Sequence, residues 1–339
     1  MILHINRKEM KQLVRSLELY IPLVIALCSV KMGKAQELKF EIAKYQGNRQ
    51  CAISYTFDDG LREHATIVVP YLNKFGLTAT FWINGSKVNR DNAHNLDTTR
   101  LTWTDLKAMG AAGHEISNHG WAHRNMAKLS VSEAEYELLK NDSAIYEHLG
   151  VWPKTFCYPG NAKNEQAIAL ASKNRVATRL SQFSVGSKST DANLDKRVEN
   201  LLATGEWGVT MTHGITYGYD HFLDAGILWR HLEKVAQMKD RIWIAPFAQV
   251  AAYVKERDST TLTIEKIKKG YRIVPHLPLN RNLFQEDLTL VVRCESTKRP
   301  IVKQGDRLLN VRAVNGNWLV NFSPWQEVYI ELFTELQRN

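Results

Sequence analysis

Two carboxylates stand side by side in Thr56-Phe-Asp-Asp-Gly60, and two histidines lie four apart in His119-Gly-Trp-Ala-His123. Adjacent carboxylates at the end of an apolar strand cannot both be buried without compensation. Asp58 and Asp59 point in different directions, so one can bind a metal while the other faces a substrate. Gly60 permits the tight turn that brings backbone close to a ligand. Histidines at i and i+4 share one face of a helical turn, a spacing that suits a divalent metal. Each motif also has an ordinary reading. Asp-Asp-Gly is common in solvated turns, and two histidines can be unrelated. Together they point to a metal-dependent hydrolase.

These residues need strands and helices to position them. From about residue 50 to 256, short apolar strands alternate with amphipathic helices. Strands are expected at 51–56, 77–83, 114–117, 155–157, 175–180, 208–212 and 242–245. Helices are expected at 63–75, 131–149, 226–239 and 247–255. A further helix, capped by Thr104, runs to Met109, and Ser130 or Ser132 caps the long one. This alternation implies parallel strands with crossover helices, and about seven such units imply a β/α barrel. Barrel chemistry gathers at the carboxyl ends of strands. The polar motifs obey that rule: Asp58-Asp59, His119, Pro159-Gly160 and His213 each follow an expected strand. After about Asp258 the texture becomes β-rich, and Asn315-Gly316 is a hairpin signal. A small all-β, sandwich-like domain over 258–339 is therefore expected after a barrel domain over 36–257.

Composition adds limits. The formal net charge is +9 over 339 residues. Residues 1–35 carry six basic and two acidic side chains, which leaves about +5 for the rest. The basic residues are dispersed, with no arginine-rich arm, so nucleic acid is not an expected partner. The segment 1–35 has a basic stretch (Arg7 to Arg15), an apolar run (Tyr20 to Val30) and small residues at Gly33 and Ala35. That is the pattern of a secretory signal peptide. The apolar run is too short to span a bilayer comfortably. A secreted or periplasmic protein is expected, with a membrane anchor if the segment stays uncleaved, or a lipid at Cys28 as a lesser alternative. Cys51, Cys157 and Cys294 remain after cleavage. No C-x-x-C pair exists, so cysteine does not build a zinc site; one disulfide among the three is open.

The runs Ala52-Ile-Ser-Tyr-Thr-Phe-Asp-Asp-Gly60, Thr78-Ala-Thr-Phe81 and Gly113-His-Glu-Ile-Ser-Asn-His119, with Pro70 and His123, resemble the polysaccharide deacetylase family, the NodB-homology carbohydrate esterases. The resemblance covers about residues 50–256. It implies a distorted β/α barrel of seven or eight strands that removes acetyl groups from N- or O-acetylated sugars. It also implies a divalent metal, zinc first, with cobalt or nickel as alternatives. By position, Asp59, His119 and His123 are the implied metal ligands, Asp58 the general base and His213 the general acid. Gly160, in Tyr158-Pro-Gly160, is the implied oxyanion N–H. Tyr158, Tyr217 and Trp121 are candidate sugar contacts, and the acetylated oligo- or polysaccharide is the implied partner.

Three departures from the family pattern stand out. Cys157 occupies the place of the arginine that normally pairs with the base; Arg179 and Arg175 are candidate substitutes. No Asp-Trp pair to orient the acid histidine is evident in 181–207, where Asp195 and Trp207 are candidates only. Gly120 stands where Ser or Thr is typical. His114 reads as a core histidine, and Asn84 as a residue of the cleft. The competing functions are a non-catalytic glycan-binding protein on the same barrel, a hydrolase of a non-sugar amide, and an Fe(II) oxygenase, since two histidines and a carboxylate also hold iron.

Overall fold

The computed structural model describes residues 38–88, 98–293 and 299–332. The segment 1–35, with its expected signal and Cys28, and also Cys294, lie outside the described residues. Met1–Lys39 separates from Phe40–Asn339, and the latter unit carries all that follows.

A buried apolar run starts the parallel sheet. It is broken at Tyr55 into β2 (Cys51–Ser54) and β3 (Thr56–Phe57), numbered after an upstream β1 (Lys39–Ile42). Every residue of β2 and β3 is buried, as expected of strands covered on both faces. Next come β4 (Thr80–Ile83), β5 (Glu115–Asn118), β6 (Thr155–Cys157), β7 (Ala177–Arg179), β8 (Phe183–Ser184), β9 (Trp207–Met211) and β10 (Ile242–Ile244). They form two parallel ladders, β3-β4-β5-β6-β7 and β10-β2-β9-β8. A parallel bridge between Phe57 and Thr212 joins them. The result is a curled parallel sheet of the kind a distorted β/α barrel has. Its interior holds Phe57, Phe81, Ile83, Leu72 and Leu106, all at or near zero exposure.

Local chemistry shifts several helix boundaries from those expected. Thr102, not Thr104, caps the helix Trp103–Ala111, because Asp105 three residues on closes a reciprocal box with it. Ser130 caps Val131–Leu149 in the same way with Glu133. The expected helix 63–75 divides into a π-helical turn, His64–Val68, and an α-helix, Val69–Lys74. Pro70 has no N–H to donate, so the hydrogen-bond ladder restarts around it. Two helices not anticipated, Glu165–Ser172 and Asp191–Thr204, fill further crossovers; Asn164 and Thr190 cap them.

The β-rich remainder forms two antiparallel sheets. Its strands are β11 (Thr261–Ile267), β12 (Gly270–His276), β13 (Leu288–Arg293), β14 (Ile301–Gln304), β15 (Arg307–Leu308), β16 (Val311–Val314), β17 (Asn317–Phe322) and β18 (Val328–Glu331). The sheet orders are β1-β13-β17-β16 and β11-β12-β18-β14-β15. Asn315 and Gly316 join β16 to β17 with φ of 49° and 75°, the conformation a tight hairpin demands. The sandwich is thus not made of the segment after 258 alone, since β1 precedes the barrel and still joins it. One apolar cluster unites Leu290, Val320 and Phe322 of the sandwich with Trp243, Val250 and Tyr253 of the barrel. The Tyr253 hydroxyl donates to the Ala43 carbonyl at 2.9 Å.

Glu256 lies on the same helix, Phe247–Ser259, at 0% exposure. It accepts the Glu286 N–H at 3.1 Å, and its second oxygen has no partner among the described residues. Burial, with Glu286 nearby, pushes this carboxyl from an ordinary 4.5 up to about 8. The folded chain then keeps a proton that the unfolded chain releases, so stability falls as pH rises from about 4.5 to about 8. We expect Glu256→Gln to flatten this slope. Its melting temperature should exceed the parent's by a few degrees near the upper end of that range and match it near the lower end. Thermal denaturation across that range checks this, and a parallel slope in both proteins would contradict it.

Candidate active site

The carboxyl ends of the parallel strands bring the charged motifs together. Asp58, just after β3, is 1% exposed. Arg179, at the end of β7, grips it with a two-pronged fork: Nη1 donates to Oδ1 at 2.8 Å and Nη2 to Oδ2 at 2.5 Å. The same Nη1 donates to Thr56 Oγ1 at 2.6 Å. Such a fork matches the planar geometry of a carboxylate. Burial would raise the Asp58 pKa, but the Arg179 guanidinium outweighs it and holds the carboxyl below the usual range. Arg179 therefore fills the role left open at Cys157. The two residues are register partners on neighbouring strands β6 and β7. The Cys157 side chain fits into the smaller space, its Sγ 3.9 Å from Asp58 Oδ2. Arg175, the other candidate, is committed elsewhere, to buried Asp142 at 2.5 Å.

Asp59, His119 and His123 converge on one point. Asp59 Oδ1 lies 3.5 Å from His119 Nε2 and 3.3 Å from His123 Nε2. Ligand atoms about 2.0–2.1 Å from a tetrahedral ion lie roughly 3.3–3.4 Å apart, so these spacings fit a divalent cation. Asp59 Oδ1 is buried and has no hydrogen-bond donor among the described residues. His119 Nδ1 bonds the Cys157 carbonyl at 2.9 Å, which makes that nitrogen the N–H and leaves the Nε2 lone pair for a metal. Burial, then the neighbouring His119, lowers the His123 pKa to about 4, so its ring is neutral and free to ligate near pH 7. The Asp59 carboxyl is buried too, but the two histidines beside it keep it ionised.

The histidines are not on a helix, contrary to the spacing argument. His119 ends β5, and the chain then bends through left-handed backbone at Gly120 (φ 77°) and His123 (φ 58°). Asp59 is left-handed as well, at φ 76°, and Arg100 Nη1 holds its carbonyl at 2.6 Å. Non-glycine residues seldom adopt this conformation, and strain of this kind gathers at functional sites. A Cβ on Gly120 would lie 3.2 Å from Glu137 Oε2 and 3.3 Å from Pro159 Cγ, so the glycine belongs to the turn. Asn84 does not line the cleft. It is buried and donates to the His119 and Gly120 carbonyls at 2.5 and 3.0 Å. Asn141 donates to the Gly120 carbonyl and to Asn118 Oδ1 at 3.1 and 2.9 Å.

His213 faces the same centre, its Nε2 3.7 Å from Asp58 Oδ2. Its Nδ1 has no partner among the described residues. Neither candidate orienter reaches it. Asp195 pairs with Lys234 at 2.7 Å, and Trp207 Nε1 donates to Ser54 Oγ at 3.1 Å. Backbone bonds position His213 instead. His64 Nε2 donates to the His213 carbonyl at 2.8 Å, and Glu63 accepts the N–H groups of Ile215 and Thr216. Both groups come from the start of the π-helical turn, and neither was singled out from sequence. A carboxylate right after Thr-Phe-Asp-Asp-Gly was the available signal.

Gly160 turns the chain after β6 at φ 59°, with open space where a side chain would be. Tyr158 is not a sugar contact: it is 1% exposed, and its hydroxyl meets Thr178 Oγ1 at 3.0 Å. Trp121 is half-buried against Gly85, with the Lys140 ammonium 5.4 Å from its ring. The Tyr217 hydroxyl donates to the Thr99 carbonyl at 3.0 Å, so the residue braces its loop. Tyr219 in the same loop is 71% exposed and stands edge-to-face with His213, ring centroids 5.0 Å apart. His114 is the core histidine expected, bonded to the Ala79 N–H and to Asn73. Cys51 and Cys157 are both free and buried.

Residues 46–178 match the family model described as polysaccharide deacetylase. The peptidoglycan-N-acetylglucosamine deacetylase PgdA of Listeria monocytogenes is 30% identical over 127 residues, 37% of this chain and 24% of that protein. Chitin deacetylase 1 of Cryptococcus neoformans is 27% identical over 176 residues, 51% of this chain and 35% of that protein. The matched stretches thus span about a quarter to a third of these relatives. Among solved structures, a family 4 acetyl xylan esterase from Clostridium thermocellum, in complex with a cobalt ion, is 21% identical. It aligns with a TM-score of 0.44 over 59% of this chain and 89% of its own.

The Asp58–Arg179 pair makes a strong energetic demand. Removing one partner of a buried ion pair leaves an uncompensated charge, at a cost of about 3–5 kcal/mol. Arg179→Leu should cost that much in urea denaturation. In an Asp58→Asn background the same change should cost far less, because no charge is stranded. Equal costs in both backgrounds would mean that the fork is not the interaction that matters.

Proposed function

We propose that this chain, which belongs through residues 46–178 to the polysaccharide deacetylase family, is a metal-dependent hydrolase that removes acetyl groups from acetylated carbohydrate. The observation that carries the reading is the joint geometry of two clusters. Asp59, His119 and His123 offer two nitrogens and an oxygen at metal-ligand spacing, and Asp58 and His213 face each other 3.7 Å apart beside them. The family resemblance assigns these residues the same roles.

Asp59 Oδ1, His119 Nε2 and His123 Nε2 would hold a divalent cation, zinc being our first choice. Bound there, it supplies Lewis acidity, which makes water nucleophilic near neutral pH and polarises an acyl oxygen. Asp58 is ionised at neutral pH and accepts the proton of the attacking water. Arg179 keeps the Asp58 carboxylate in one orientation, so the proton acceptor needs no reorganisation. The Gly160 N–H, on the turn after β6, donates to the developing oxyanion. His213 Nε2 gives a proton to the leaving amine or alkoxide, so that the sugar departs neutral. Because acid and base share one side of the site, both reach substituents of the same carbon. Arg179 removes the motive for a non-catalytic glycan-binding reading, which rested on the missing arginine.

Among the described residues no helix is long and apolar enough to cross a membrane. A secreted or periplasmic setting, with residues 1–35 as its signal and cell-surface glycan as its substrate, is part of the proposal. So is the division into a barrel over 36–257 and an accessory β region, with β1 contributing to the latter.

Acetate release from chitooligosaccharide, peptidoglycan and acetylxylan, with zinc and after chelation, tests the reading. We expect turnover on at least one substrate, lost on chelation and restored by metal. Asp58→Asn should lower kcat by about 10²–10⁴ while retaining metal by elemental analysis. No acetate from any of the three would sink the carbohydrate reading.

A further inference from the structure

We propose that the cleft beside His213 is a subsite for a carboxylate-bearing sugar, and hence that the substrate is an acidic glycan rather than a neutral one. This rests on the deacetylase reading above and adds the class of polymer. The argument begins with direction. His213 protonates the leaving nitrogen or oxygen, which belongs to the sugar and not to the acetyl group. The polymer must therefore lie on the His213 side of the centre.

A cleft of about 450 Å³ opens there, within the usual range for small-ligand sites. Met211 and Tyr219 form its inner wall. Met211 lies two residues before His213, and its sulfur contacts Asn161 Nδ2 at 3.4 Å, next to Gly160. Tyr219 stands against the His213 ring and is 71% exposed. An exposed aromatic edge between a catalytic histidine and a cleft is a ready surface for a pyranose ring.

The outer wall is cationic. Lys188 and Arg197 line it, and neither makes an ion pair among the described residues. Both are exposed, yet neither stands free. The Arg197 guanidinium lies 4.6 Å from the Phe183 ring centre, which supports its planar face. Asn193 Nδ2 donates to the Lys188 carbonyl at 3.0 Å and fixes that residue's backbone. Asp220 also lines the cleft, but its carboxylate is already taken. It accepts from Ser184 Oγ at 2.7 Å and from the Ser187 hydroxyl and N–H at 2.5 and 3.1 Å. The two unpaired cations are left to meet a ligand, and a carboxylate on the sugar flanking the reacting one satisfies both.

The test is calorimetric titration of the full chain, as Asp58→Asn with zinc, against two tetrasaccharides. One alternates N-acetylglucosamine with N-acetylmuramic acid, which bears a carboxylate, and the other is the neutral N-acetylglucosamine tetramer. The acidic glycan should bind about tenfold tighter, the combined effect of two solvent-exposed ion pairs. Lys188→Ala with Arg197→Ala should bring the ratio near one, and Lys188→Glu should favour the neutral tetramer. Equal affinities for the two glycans, or a ratio indifferent to these changes, would overturn the subsite. Selective binding without any acetate release by the unaltered chain would leave the subsite standing and sink the deacetylase reading. Acetate release from both glycans with equal affinities would do the reverse.

Discussion

The buried fork between Arg179 and Asp58 is the interaction on which the rest of the site depends. Asp58 follows β3 and Arg179 ends β7, the two outer strands of one five-stranded ladder. Were that ladder flat, four strand spacings would put them roughly 19 Å apart. Contacts of 2.5–2.8 Å are therefore possible only because the sheet curls back on itself. β7 and β8 stand at the free ends of the two ladders, so no backbone pairing ties the wall there. The Arg179 side chain, bonded to Thr56 and Asp58, ties it across the interior instead. Fold closure and the charge state of the base are thus set by one side chain.

The same economy governs the metal half. Three left-handed residues, Asp59, Gly120 and His123, bend the backbone so that side chains from two separate loops meet. Such bends cost about 1–3 kcal/mol each and persist only when neighbours over-determine them. The neighbours here are polar groups of the barrel wall: Arg100 on the Asp59 carbonyl, and Asn84 and Asn141 on the Gly120 carbonyl. Behind them, Asn118 bonds Asp142, and Asp142 bonds Arg175. This buried network explains why Arg175 could not serve Asp58, since its charge is spent holding the platform under His119.

The sequence disclosed what depends on local order and concealed what depends on register. The strands were legible as apolar runs, and the site was legible because its residues follow those strands directly. Arg179 was a candidate but not a choice, because nothing in the chain says that it lies opposite Cys157 across β6 and β7. The helical reading of His119 and His123 failed for a specific reason. A spacing of four suits a helix, but Gly120 at φ 77° starts a left-handed turn instead, and the two ring nitrogens meet across it. The contribution of β1 to the sandwich was invisible because its partner, β13, lies some 250 residues away. Thr102 was missed as a cap because Thr104 offered the same side chain; only the position of Asp105 separates them.

The site is also asymmetric. On the Asp58 side the groups are buried and doubly bonded, so their geometry is set by the barrel. On the His213 side the imidazole lacks a partner at Nδ1, and its place is fixed through backbone by His64 and Glu63. A histidine held by its main chain keeps its position but not a tuned proton affinity, because no carboxylate stabilises the charged ring on the far nitrogen. The nearest anion is Asp58 itself, on the nitrogen that must deliver the proton. Proton uptake by Asp58 removes that anion as the leaving group needs its proton, so the base, in working, lowers the cost of His213 giving its own away. The acid then needs no dedicated partner, provided that acid and base stay within a few ångströms of each other. That condition leads back to Arg179, which holds Asp58 within 3.7 Å of His213.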